Sequence, residues 1–203
     1  MNKIIAIDGP LASGKGTLAK RVAEFHGLPY LNTGGLYRAV ALHLLRNSSD
    51  ERQVAALMGG ADFSNLDDPD LYTEETGRLT SKVAAIPEVR KFLLNFQLDF
   101  AHQDGGAVLD GRDIGTVVCP EASHKFFITA SVGERARRRH REMVLKGKNI
   151  DYNEILANLE ERDKRDSERS ASPLRKADDA IEVDTTDMSI EEVVARVLSL
   201  IKF

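Results

Sequence analysis

Apolar positions recur along this chain in two periods, and the alternation between them predicts the architecture. Residues 3–7, KIIAI, form a short unbroken run rich in β-branched residues, the pattern of a strand buried on both faces. From Thr17 the period changes: TLAKRVAEFHG puts Leu18, Val22 and Phe25 on one helical face, with Gly27 placed to end the helix. A second short strand ends at Asn32-Thr33-Gly34-Gly35, and a helix follows through Leu36, Ala39, Val40 and Leu44. Residues 47–80 lose the periodicity and fill with Asp, Asn, Gly and Ser, which predicts an insertion outside the sheet, irregular or a small helical cap. The next segment reads as helix on either side of Pro87, with Val89, Phe92, Leu93, Phe96 and Phe100 spaced for one buried face. AVLDGRDIGT, HKFFITA and AIEVDT supply three more apolar strands. Five strands alternating with helices predict an α/β fold with a doubly wound parallel sheet flanked by helices. Between the last two strands lies a segment dense in arginine and acid, predicted as charged helices joined around Gly147 and ended by Pro173. Such a pair is either a solvated face or a moving arm that meets anions.

Composition narrows the function classes. With 203 residues, 42% of them hydrophobic, the chain can bury a core in one main domain. A formal net charge of -4 argues against a partner chosen by bulk charge, such as nucleic acid, and for small phosphate compounds held by local basic clusters. Cys119 is the single cysteine, so neither an intramolecular disulfide nor a cysteine zinc cage can form. The opening MNKIIAIDG reaches an acid and a glycine too soon for a signal peptide, and no apolar run approaches a membrane span. A cytoplasmic monomer is the expectation, since no strongly apolar exposed stripe is evident.

The first strand-to-helix junction carries the clearest chemistry. It reads Gly9-Pro10-Leu11-Ala12-Ser13-Gly14-Lys15-Gly16-Thr17, a glycine loop that opens a helix and aims backbone N–H groups at phosphate oxygens. The strict P-loop pattern has Ser or Thr directly after the lysine; here Gly16 intervenes. In this reading Lys15 reaches the β- and γ-phosphates of ATP and the Thr17 hydroxyl ligates Mg²⁺. Asp8 and Asp110 end strands beside the loop; Asp110 either orients magnesium-bound water or, like Asp8, caps a neighbouring helix. No Asn-Lys-x-Asp guanine-reading sequence is present, and the five histidines show no metal-ligand spacing.

IDGPLASGKGT, LNTGGLYR, AAIPEVR, LDGRDIGTVV and ERDKRDSER occur in the order and rough spacing of bacterial cytidylate kinases and together span most of the chain, which resembles that family. The resemblance implies one P-loop NTPase domain over 1–203, with a short insertion for the nucleoside monophosphate at about 47–80 and a helical lid at about 133–172. It implies transfer of the ATP γ-phosphoryl group to CMP or dCMP with Mg²⁺. Thr33, Tyr37, Arg38 and Arg112 fall where doubly wound sheets bind ligands, and the two arginines are similar to the family's acceptor-phosphate binders. By the same resemblance Asp113, Arg90 and Ser81 read cytosine, Asp166 accepts from the ribose, Arg162 and Arg169 hold phosphates, and Arg138 is the lid arginine. Arg162, Asp166 and Arg169 share one helical face by spacing, which alone would equally suit a surface salt-bridge ladder. Lys15, Arg112, Arg162 and Arg138 are the expected catalytic set. Two features depart from the commoner family pattern: Asn32-Thr33-Gly34 stands where Asp-Ser-Gly is usual, and the insertion is short. A rival outside enzymes is a regulatory module that binds ATP and switches shape.

Overall fold

The computed structural model describes residues 3–203, which form one five-stranded, all-parallel sheet with helices on both faces. The strands are β1 (Lys3–Asp8), β2 (Tyr30–Asn32), β3 (Gly106–Gly111), β4 (His124–Thr129) and β5 (Ile181–Asp184), in the order β2-β3-β1-β4-β5. The chain runs to one side of β1 for β2 and β3, then crosses to β4 and β5. This reversal leaves a crevice at the carboxyl end of β1.

Alternation along β1 sends Ile4 and Ala6 to one face and Ile5 and Ile7 to the other. The Ile5 face packs with α1 (Lys15–His26), through Leu18 and Val22, and with α8 (Ile190–Leu200), through Val193 and Val197. The Ile4 face packs with α2 (Thr33–Arg46), through Leu36, Val40 and Leu44. Phe25, read as part of the buried face of α1, is 69% exposed, because the strip that meets the sheet is Leu18, Ala19, Val22 and Ala23.

The insertion is helical and contains no strand. After two short turns around α3 (Val54–Leu57) and a 3-10 turn at Pro69–Tyr72 comes α4 (Glu74–Val83), five residues before the helical signal was legible. Its Asp/Asn-rich stretch closes its own turns: Asp62, Asn65 and Asp68 each accept the backbone N–H two residues on, at 2.8, 3.2 and 2.9 Å. Pro87 opens α5 (Pro87–Ala101) as its first residue. The buried face of α5 is Val89, Leu93, Gln97 and Ala101; Phe92 and Phe96 are 38% and 41% exposed, leaning on Phe63 of the insertion rather than on the sheet.

The charged segment is a hairpin of α6 (Val132–Leu145) and α7 (Tyr152–Glu168), with a small core of its own from Ala136, Ile155 and Leu159. Its charge is not all solvated. Arg135 and Asp166 are buried, and Arg135 donates to Ala130 O at 3.0 Å, to Leu11 O at 3.2 Å and to the Asp163 carboxylate. The hairpin is therefore keyed to the glycine loop by an arginine that sequence spacing did not distinguish from its four neighbours.

Candidate active site

At the β1–α1 junction the backbone is folded for anions. Ala12 and Gly14 both take positive φ, 62° and 87°, and no side chain caps the first turn of α1, nor does any acid lie in it. The N–H groups there are free to face a ligand. Gly9 packs against β4: a Cβ on it would stand 2.0 Å from Ile128 O. A Cβ on Gly16 would stand 3.2 Å from Asp110 Oδ2, a tight approach. The hydroxyl-bearing Thr17 follows it and lines the cleft.

Lys15 is buried and donates to Pro10 O at 3.1 Å. Burial first, and the Arg112 charge second, bring its ammonium down to about 7. The two strand-end acids divide their tasks. Asp8 accepts from Ile114 N (2.9 Å) and Gly115 N (2.8 Å), pinning a single π-type turn, Ile114–Val118, and its burial raises its carboxyl to about 7. Asp110 faces the cleft, accepts from Tyr30 OH at 2.7 Å, and is raised by burial against the pull of Lys15.

A cleft of about 550 Å³ runs from this loop to the insertion. Eight lysine and arginine side chains and only four acids line it, the reverse of the balance over the whole chain. The cleft thus concentrates positive potential in a protein that is otherwise acidic. Of the residues singled out from sequence, Leu11, Ala12, Gly14, Lys15, Gly16, Thr17, Thr33, Tyr37, Arg38, Ser81, Arg90, Arg112, Asp113, Arg138, Arg162, Asp166 and Arg169 all meet there. Gly9, Pro10 and Ser13 lie behind the wall; Ser13 Oγ is buried without a partner.

Opposite the loop, ion pairs hold the far end. Asp113 pairs with Arg90, which also donates to Ala84 O at 3.0 Å and Ser172 Oγ at 3.0 Å and stacks over Tyr37 at 5.4 Å. Arg165 donates to the Ser81 hydroxyl. Arg112 Nε pairs with Asp166 Oδ2 at 3.0 Å, and Arg169 Nε donates to Ser172 O at 2.7 Å. Arg162 reaches Gly77 O at 3.4 Å while its Nε is buried without a partner. Arg38 and Arg162 both come up against Gly77 of α4. Burial, then mutual repulsion with Arg112, brings Arg162 down to about 9, and burial brings Arg38 to about 10. Cations held this close and this dry are stabilised by any anion placed among them.

Thr33 Oγ1 donates to Asp110 O at 2.7 Å, so its proton joins α2 to β3 rather than pointing free into the cleft. Arg138 donates to Thr185 Oγ1 at 2.9 Å and Ser13 O at 3.4 Å and pairs with Glu134, which anchors it at the floor. Arg139, which sequence reading leaves undistinguished within the cluster of Arg135, Arg137, Arg138, Arg139 and Arg141, pairs with Glu142 at 2.8 Å on the cleft rim. Tyr72 and Thr80, which also line the cleft, come from or adjoin the aperiodic insertion and gave no signal.

Thr17 and Asp110, a hydroxyl and a carboxylate of the kind a hard cation such as Mg²⁺ takes, both line the cleft. Among the described residues no group of three or more His, Cys, Asp or Glu is arranged to hold a metal. No helix among the described residues is long and apolar enough to cross a membrane.

A parallel sheet with a phosphate loop after its first strand, facing an arginine-rich pocket across one cleft, places the chain among the P-loop α/β proteins that handle nucleoside triphosphates. A solved structure of an uncharacterized protein from Eubacterium ventriosum shares this fold, with a TM-score of 0.56, 16% identity, and 97% and 96% of the two chains covered. Sequence comparison is more specific. The cytidylate kinase family profile matches residues 5–203. Cytidylate kinase from Xanthobacter autotrophicus is 49% identical over 98% of this chain and 97% of its own. That from Methylobacterium sp. strain 4-46 is 54% identical over 87% of this chain and 86% of its own. The chain belongs to the cytidylate kinase family.

Proposed function

We propose that this chain transfers the γ-phosphoryl group of ATP to CMP or dCMP, giving ADP and CDP or dCDP. The observation that carries this reading is the single cleft that has the Lys15 loop at one end and the Asp113–Arg90 pair at the other. An oxygen of the acceptor phosphate attacks the γ-phosphorus; the bond to the β–γ bridging oxygen breaks, and ADP leaves with that oxygen. The acceptor is already ionised at neutral pH, so the protein supplies position and positive charge rather than a general base. Lys15 and the backbone N–H groups of the glycine loop that follow Pro10 hold the donor phosphates. Arg38 and Arg112 bind the acceptor phosphate, Arg162 and Arg169 hold phosphates, and Asp166 accepts from the ribose. Thr17 and Asp110 would hold Mg²⁺, which supplies charge neutralisation of the donor phosphates. The insertion serves as the acceptor cap and α6–α7 as a lid whose Arg138 and Arg139 face the phosphates, excluding water.

Asp113 and Arg90 read the base. The carboxylate accepts from the cytosine amino group and the guanidinium donates to the ring acceptors, with Ser81 beside them. Uracil sets a carbonyl against the carboxylate, leaving buried acceptors unpaired. The enzyme works as a cytoplasmic monomer on small molecules and not on nucleic acid, in keeping with its acidic exterior and confined positive cleft. A coupled assay of ADP release with ATP and Mg²⁺, offering CMP, dCMP, UMP, AMP and GMP separately, tests the reading. Fast turnover of CMP and dCMP with weak use of UMP supports it. Preference for AMP or GMP overturns the base assignment. ATP binding without turnover of any acceptor overturns the kinase and favours the regulatory module.

A further inference from the structure

We propose that Tyr72, carried by the short insertion, is a positioning residue for Arg38, and that Asn32 holds Tyr72 in place. The proposal rests on the reading of Arg38 as a ligand of the acceptor phosphate.

Arg90 and Arg112 are paired with carboxylates, whereas Arg38, like Arg162 and Arg169, forms no salt bridge among the described residues. Of these three, Arg38 is the one that also lies over an aromatic ring. Its Nη1 donates to Leu71 O at 2.7 Å, and its guanidinium carbon stands 5.1 Å from the centroid of the Tyr72 ring. A carbonyl and an aromatic face fix a guanidinium without cancelling its charge. A carboxylate would fix it too, but would have to be displaced before a phosphate could bind. Leu71 and Tyr72 are adjacent in one 3-10 turn, so that single turn of the insertion supplies both contacts.

Asn32 ties this turn to the acceptor helix. Its Oδ1 accepts from Gly35 N at 3.2 Å, capping α2, while its Nδ2 donates to Tyr72 OH at 3.2 Å. Tyr72 OH in turn donates to Leu66 O at 2.8 Å. This chain of bonds needs a side chain that accepts and donates at once, which an amide does and an ionised carboxylate cannot. An aspartate here would pull the Tyr72 proton away from Leu66 and set a negative charge in the neighbourhood of Arg38. Asn32 and the short insertion are thus two parts of one device: a neutral clamp that leaves the Arg38 charge for the substrate.

The test compares the full chain with Tyr72→Leu, Tyr72→Phe, Asn32→Asp and Arg38→Ala, measuring kcat, both KM values, and calorimetric binding of CMP and of cytidine, which lacks the phosphate. Tyr72→Leu is expected to raise KM for CMP about tenfold, leaving kcat and KM for ATP within about twofold, and to weaken CMP while sparing cytidine. Tyr72→Phe keeps the ring but loses both hydroxyl bonds, and Asn32→Asp reverses one of them; about threefold, again confined to CMP, is expected of each. If Tyr72→Leu does not fold, Tyr72→Phe decides by the same CMP-to-cytidine comparison. Unchanged CMP binding, or equal weakening of CMP and cytidine, overturns the proposal, because a merely structural tyrosine would not separate the two ligands. The underlying reading fails with a different signature: if Arg38→Ala still favours CMP over cytidine as the unaltered protein does, Arg38 is not a phosphate ligand, and the Tyr72 proposal falls with it.

Discussion

Lys15 ties the electrostatics of the cleft to a measurable proton. Burial and the Arg112 charge bring its ammonium down to about 7 from the ordinary 10.5, and a triphosphate laid against it restores the charged form. The free protein therefore loses this proton as pH rises through 7, and binding must restore it. Between about pH 7 and 10 ATP binding is predicted to take up a proton and to weaken as pH rises, by up to about tenfold per unit. Calorimetry at pH 8.5 in two buffers of different ionisation enthalpy should show uptake of about one proton, and none for Lys15→Met. Uptake that survives the substitution would assign the proton elsewhere. Most of the residues that line the cleft were legible because a phosphate site needs glycines, a lysine and arginines at fixed places around a strand end. Asp8 and Asp110 were not separable by sequence, since each ends a strand; only the backbone N–H groups of Ile114 and Gly115 show which one is a cap. Tyr72 was invisible because the insertion around it is built from local Asp and Asn turns and has no periodicity to reveal which side chain faces inward.

At the scale of elements, α6 and α7 act together through Arg135. This arginine is buried, pairs with Asp163 of α7, and donates to the carbonyl of Leu11 in the glycine loop. Arg135→Met removes the charge but leaves two carbonyls and a carboxylate short of a donor. The expected loss is about 3 kcal/mol of unfolding free energy in a urea titration, accompanied by a higher KM for ATP. A loss below about 1 kcal/mol with unchanged KM would show that the hairpin docks without it. The helices themselves were readable from charge and period. Which of the clustered arginines turned inward was not, because spacing assigns a helical face without saying what covers it. The same limit misplaced Phe25, Phe92 and Phe96: the apolar period was real, but the sheet is met by the smaller side chains beside them.

The whole molecule is a parallel sheet with two packed faces, to which a helical insertion and a separately cored hairpin are attached; both line one cationic cleft, and they touch where Arg162 and Arg165 of α7 reach Gly77 O and the Ser81 hydroxyl of α4. Five parallel strands followed from the alternation of periods; their order, with β3 inserted between β1 and β2, needed the long-range pairings. Anions bridging the cleft are predicted to draw its two attached parts closer together. Small-angle scattering is therefore expected to show a smaller radius of gyration with CMP and a non-hydrolysable ATP analogue together than with either alone. An unchanged radius would assign the cleft a fixed form.

The most direct measurement is the ratio of kcat/KM for CMP to that for UMP, in the unaltered protein and in Asp113→Ala. If the buried Asp113–Arg90 pair reads cytosine, the substitution lowers kcat/KM for CMP by about 10- to 100-fold, leaves UMP nearly as it was, and collapses the ratio toward one. A ratio that stays high while both activities fall equally would contradict the account, making Asp113 a structural partner of Arg90 and leaving the choice of base to other residues.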